Sequence, residues 1–248
     1  MTNRTHGPMA VTRGMRRYLR RSATRHFGAA ALIGTLGALG ALGGIAQAGE
    51  SAAPMAGPPA GQYHLDKSHA SLVMRVNHLG FSSYTTRFSR FESELTFDPK
   101  DIPASKVVTT VDTSSFEMDM APQACIDIMK GPQMLDTGKY PQMVFKSEAV
   151  KMTGAKSMEI SGTLTLHGVS RPLVLIAAYN AGYPGIPEMD PQARVGFSAH
   201  GSFKRSDFGM TFGVPAPGTT MGVGDLVEFA IEAEFNGPPL PASGNAAH

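Results

Sequence analysis

Leu226-Val227-Glu228-Phe229-Ala230-Ile231-Glu232-Ala233-Glu234-Phe235 sets Val227, Phe229, Ile231, Ala233 and Phe235 at alternate positions, with Glu228, Glu232 and Glu234 between them. Successive side chains of an extended chain point to opposite faces, so this stretch is a strand with one buried and one wet face. The same period places Leu72, Met74, Val76 and His78 opposite Ser71, Arg75 and Asn77, and Phe91, Ser93, Leu95 and Phe97 opposite Glu92, Glu94 and Thr96. Further strands are predicted at 106–111, 143–146, 158–166, 172–179 and 195–204, several separated by Gly, Pro, Asn or Asp. Half-polar strands in this number, about eight, need an arrangement that hides one face and manages the edges. A single closed antiparallel barrel does both, and a two-sheet sandwich is the alternative. One stretch departs from period two: Pro122 to Lys130 carries Cys125, Ile126, Ile128 and Met129 at helical spacing and ends at Gly131-Pro132, which predicts one short helix in an all-β chain.

The ends have a different composition. Residues 1–48 hold seven arginines and no acidic residue, followed from Phe27 by an uncharged Ala, Leu and Gly run that ends at Ala46-Gln47-Ala48. This is the pattern of a cleaved signal peptide, and it implies export to the periplasm with cleavage near Ala48 and no transmembrane anchor afterwards. Arg16-Arg17 is followed by a poor twin-arginine consensus, so a Sec-type signal is expected. Seven of the 22 basic residues and none of the 20 acidic ones lie in this segment, so its removal takes the formal charge from +2 to −5. Such a balance gives a nucleic-acid partner no electrostatic footing. Residues 49–62 are an Ala/Pro/Gly linker, 63–235 the β domain, and 236–248 a disordered tail. The single cysteine, Cys125, excludes an internal disulfide, a Cys-x-x-Cys redox pair and a thiolate zinc cluster, and is expected to be a small buried residue.

Ordered blocks run through the β domain. They begin with Tyr63-x-Leu65-Asp66-x-x-His69, Val76-x-His78-Leu79-Gly80-Phe81-Ser82 and Phe88-x-x-Phe91, and continue through Leu135-Asp136, Lys139-Tyr140-Pro141 and Phe145-Lys146-Ser147. Gly162-x-Leu164-Thr165-Leu166-His167-Gly168-Val169-Ser170-x-Pro172, Arg205-Ser206-Asp207-Phe208-Gly209 and Val223-Gly224-Asp225 complete the series. Together they resemble the YceI-like family across residues 63–235. That resemblance implies an eight-stranded lipocalin-like barrel, export, and binding of a polyisoprenoid. Three positions depart from the family pattern: Thr86 and Ser93 stand where glycine is common, and Ile128 where many members carry a histidine.

On this reading the ligand is an isoprenoid lipid or isoprenoid quinone, held without catalysis and without a cofactor. The alternating faces nominate an apolar lining of Leu72, Met74, Val76, Phe91, Leu95, Phe97, Met143, Phe145, Ile160, Leu164, Val195, Phe197, Phe229 and Ile231. His78, Arg87, Arg90 and Arg205 are the candidates to meet a polar head group. No His-x-His or His-Glu-x-x-His ligand pair occurs, so no metal site is expected, and no Gly-x-Ser-x-Gly elbow is present. Two other readings stay open: a ligand-free periplasmic interaction module for a membrane redox protein, and a barrel hydrolase or metal-dependent enzyme. A homodimer through an edge strand or a barrel mouth is equally open.

Overall fold

The computed structural model describes residues 57–240. The segments read as a signal peptide and as the last residues of the tail lie outside that range. The chain forms ten strands: β1 (Gly61–His78), β2 (Ser82–Phe88), β3 (Phe91–Phe97), β4 (Lys106–Asp112), β5 (Phe116–Glu117), β6 (Gln142–Met152), β7 (Ser157–Leu166), β8 (Val169–Tyr183), β9 (Gln192–Lys204) and β10 (Val223–Pro239). One helix, α1 (Gln123–Lys130), lies between β5 and β6. All pairings are antiparallel, and β1-β3-β4-β6-β7-β8-β9-β10 returns to β1, closing an eight-stranded barrel. Closure excludes the two-sheet sandwich.

Two strands, β2 and β5, have no counterpart among those expected from sequence. They exist because β1 is 18 residues long and serves two neighbours on one side. Its first residues pair with β3, Gly61 facing Phe97 and His64 facing Glu94. From Leu72 to His78 that same edge pairs with β2. β5 then adds two residues to β2, with Phe88 facing Phe116. This flap extends the wall beyond the barrel at the end that carries α1. The domain edges differ slightly from the sequence reading: β1 starts at Gly61, inside the supposed linker, and β10 continues to Pro239, inside the supposed tail.

Alternation locates the core. In β3, Phe91, Ser93, Leu95 and Phe97 are buried and the residues between them exposed. At the β1 start, Tyr63, Phe97, Tyr179, Phe197 and Phe235 form an aromatic cluster with ring centroids 5.5–6.1 Å apart, the Phe97 and Tyr179 rings stacked and the other pairs edge-to-face. Tyr63 is fully buried, and its hydroxyl donates to the Pro59 carbonyl at 2.6 Å. Burial, with the Tyr179 phenol second, pushes its pKa up to about 12. Cys125 departs from its expected place: it is exposed, because α1 lies on the surface with no fully buried residue.

Candidate functional site

The barrel interior holds three apolar cavities that share walls from one end to the other. The first, about 90 Å³, lies near the β1 start among Leu72, Phe91, Leu95, Phe97, Ile160, Phe197 and Ile231. The second, about 70 Å³, is bounded by Leu72, Met74, Met143, Phe145, Leu164, Phe229 and Ile231. The third, about 60 Å³, lies under α1 and its following loop, among Met74, Phe116, Met134, Leu135 and Met143. Leu72, Leu175 and Ile231 separate the first from the second, while Met74, Met143 and Phe203 separate the second from the third. Apolar voids of this kind favour an apolar guest over water.

Twelve of the fourteen nominated lining residues border these cavities; the others are Val76 and Val195. Val76 is half-buried, facing Val227 on one side and Tyr84 of the flap on the other. Val195 is fully buried but borders an outer groove, not the bore. Leu175, Ala177, Phe203 and Met158 line the interior and were not nominated. Their inward facing follows from β8, β9 and β7 registers that the sequence read only as strands.

The head-group candidates are not brought together at an opening. His78 is exposed at the end of β1, where its ring lies 6.1 Å from that of Tyr84. The Nε of Arg87 donates to Glu117 at 2.6 Å, and both nitrogens of Arg90 that face Asp112 donate to it at 3.0 and 2.7 Å. The Ser114 hydroxyl and then Arg90 hold the Asp112 carboxyl below the usual carboxylate range. Arg205 is only 3 % exposed, and its guanidinium donates to the carbonyls of Gly224, Met210, Phe212 and Val223 at 2.8–3.0 Å. Met210 and Phe212 belong to the long β9–β10 connection and Val223 and Gly224 to the start of β10, so Arg205 ties that loop to the strand beside the third cavity. Its donors are spent on backbone, which is a correction to its reading as a head-group ligand.

Polar groups reach the cavities at few places. Ser93, at a position where glycine is common in the family pattern, lines the first cavity and shares a hydrogen bond with Thr109 at 2.8 Å. Its hydroxyl is thereby satisfied inside an apolar wall. Ser105 and Lys106 also border that cavity. Ile128, the other departure in the helical segment, is 45 % exposed and does not line the bore.

Outside the barrel, β1 loses register with β10 between Leu65 and Ala70, and this irregular stretch carries Asp66 and His69. Asp66, His69 and Glu234 each offer a ligand atom within 4.8 Å of the others, a spacing that would suit a divalent cation. The Nη1 of Arg194, however, donates to Asp66 at 2.8 Å and to Glu234 at 2.7 Å, so a guanidinium already supplies the positive charge. Donation from the Ser68 hydroxyl, then from His69, keeps the Asp66 carboxyl well below the ordinary range. The cluster bridges strands β1, β9 and β10 on the outer surface.

The model of the YceI-like domain matches residues 63–235. A UPF0312 protein of Vibrio cholerae is 34 % identical over 179 residues, covering 71 % of this chain and 87 % of that one. A UPF0312 protein of Shewanella oneidensis is 36 % identical over 162 residues, covering 64 % and 81 %. Among solved structures, a Campylobacter jejuni YCEI protein superimposes with a TM-score of 0.55 at 26 % identity, covering 65 % of this chain and 89 % of that one. A polyisoprenoid binding domain from Saccharophagus degradans superimposes at 0.52 with 14 % identity, covering 71 % and 98 %.

Proposed function

The chain belongs to the YceI-like family, and from that premise we propose that it is a periplasmic carrier that holds the tail of an isoprenoid lipid inside the barrel without chemical conversion. The observation that carries the proposal is the file of three apolar cavities, walled by residues from all eight barrel strands. The fold likeness to a polyisoprenoid binding domain supports the same ligand class.

Each buried methylene contributes roughly 0.8 kcal/mol, so a five-carbon unit contributes on the order of 3 kcal/mol before ordering costs. The cavities are narrow, and a chain that passes from one to the next must displace the side chains between them. At the second partition two of these are methionines, whose unbranched thioethers change rotamer with little strain. Among the described residues, the only titratable side chains that border the cavities are Lys106 and the fully engaged Arg205. That supports binding over catalysis. Export to the periplasm rests on the N-terminal pattern of basic residues, apolar run and Ala46-Gln47-Ala48.

One observation favours a second reading, a docking module for a protein partner. Phe81, Met120, Phe212 and Met221 are 85, 101, 48 and 75 % exposed, and they lie on loops at the α1 end of the barrel. The two readings separate in one experiment: mass spectrometry of the organic extract from protein purified from its native host, beside Ala177→Phe. Ala177 is buried against the first cavity, so the added ring fills it. A stoichiometric isoprenoid in the wild type that is lost from the folded variant supports the carrier. A wild-type protein that yields none and takes up none of an added polyprenol overturns it and leaves the docking module.

A further inference from the structure

We infer that the head of the bound lipid sits at the mouth formed by Ser105 and Lys106, at the opposite end from the arginines nominated by sequence, and that this head is an anionic phosphate. The inference rests on the isoprenoid-carrier reading and assigns its orientation. The tail then runs from the first cavity toward α1.

The wall of the barrel shows where the mouth is. Pairing of β4 with β6 runs from Asp112 opposite Gln142 to Val108 opposite Lys146 and stops there. The next β4 amide, that of Val107, donates instead to the Ser147 side chain at 2.8 Å, and β6 shifts register with β7 between Ser147 and Ala149. Beyond this point the first cavity is bordered by the Ile102 turn, Ser105 and Lys106 on one side and by Val150, Met158 and Ile160 on the other. No ladder joins the two sides.

Two polar groups stand at that gap. The Ser105 Oγ is buried and has no hydrogen-bond partner. Buried hydroxyls are nearly always paired, so an orphan beside an apolar cavity marks a place where a ligand oxygen belongs. Lys106 is exposed and, among the described residues, has no carboxylate within salt-bridge distance, in contrast to Lys67, Arg87, Arg90 and Arg194. Both residues border the first cavity, and a hydroxyl donor together with an ammonium that no carboxylate neutralises matches the oxygens of a phosphate, while the exposure of Lys106 lets that phosphate keep part of its hydration. The far end offers no equivalent. There the third cavity is bordered by the apolar side chains of Met134, Leu135 and Met210, and Arg205 is committed to four carbonyls.

The test compares a polyprenyl monophosphate with the polyprenol of the same chain length, by native mass spectrometry on wild type, Lys106→Glu, Lys106→Gln and Ser105→Ala. Lys106 is exposed at the first position of β4, so both of its variants keep the fold. The expected result is that Lys106→Glu weakens the phosphate lipid by roughly tenfold or more, with Lys106→Gln and Ser105→Ala intermediate and the neutral polyprenol unchanged. Raising the salt concentration weakens the phosphate lipid alone in the wild type. If the wild type binds both lipids and Lys106→Glu leaves the phosphate lipid unaffected, or weakens both lipids equally, the head is elsewhere and the orientation is overturned while the carrier reading stands. If the wild type binds neither lipid, the carrier reading itself fails.

Discussion

Arg205 shows how a cation that looks available in a sequence is consumed by a fold. The segment Arg205-Ser206-Asp207-Phe208-Gly209 has the look of a surface loop, yet the chain turns there so that the guanidinium faces inward and meets four carbonyls. Desolvation, with Asp225 opposing it, lowers its proton affinity, but an arginine stays charged in such a site. Replacing it with methionine keeps the bulk and strands the carbonyls. The expected cost is about 3 kcal/mol or more, read as a lower urea midpoint, whereas Arg87→Gln on the exposed flap leaves the midpoint nearly unchanged. Tyr63 gives a pH-dependent case. Its pKa is raised to about 12 in the folded state against an ordinary value of 10.0, so its contribution is complete below about pH 10 and is lost as pH rises through 12. Thermal unfolding followed between pH 9 and 12 should therefore fall more steeply for the wild type than for Tyr63→Phe, a difference of roughly 2 kcal/mol. Equal slopes would show that the phenol ionises freely.

At the scale of elements, β9 and β10 depend on a residue with no side chain. A Cβ at Gly201 would lie 2.7 Å from the Cζ of Phe229 and 3.0 Å from the backbone oxygen of Val174, so the Phe229 ring covers the glycine and lines the second cavity from there. Gly201→Ala is expected to destabilise by about 1–3 kcal/mol through displacement of that ring. Denaturant titration measures the cost, and Gly196→Ala, whose Cβ meets nothing closer than 3.9 Å, is the control. What the sequence allowed to be read at this scale follows from the same physics. β3 and β10 were legible because they alternate large apolar and charged residues, and α1 because Gly131-Pro132 ends it. β2 was not, since Ser82-Ser83-Tyr84-Thr85-Thr86-Arg87 buries little and exists only because a long β1 offers it an edge. The lining was largely legible because inward facing follows from period two. The mouth was not, because it depends on where the β4–β6 ladder stops, and nothing in Ser105-Lys106 taken alone announces that.

For the molecule as a whole, ligand binding and stability are one quantity measured in two ways. A lipid that occupies the barrel binds the native state and has no site in the unfolded chain, so it stabilises by RT ln(1 + [L]/Kd), about 2.7 kcal/mol at a hundredfold excess over Kd. For a β domain of residues 63–235 each kilocalorie raises Tm by roughly 2–4 °C, so saturation with an isoprenoid should raise it by about 5–10 °C. The dependence on lipid concentration separates this from a general detergent effect, which has no half-saturation point. Ala177→Phe fills the first cavity and should start from a Tm within a few degrees of wild type, because the ring gains contacts where there was void. It should then respond little to added lipid. A variant that responds as strongly as wild type would place the tail outside the first cavity, in the outer groove beside Arg194 and Phe197. Phe197 borders both spaces, so Phe197→Ala distinguishes them further: opening that partition strengthens uptake into the barrel if the tail lies within it, and weakens binding if the ring is the floor of an external site.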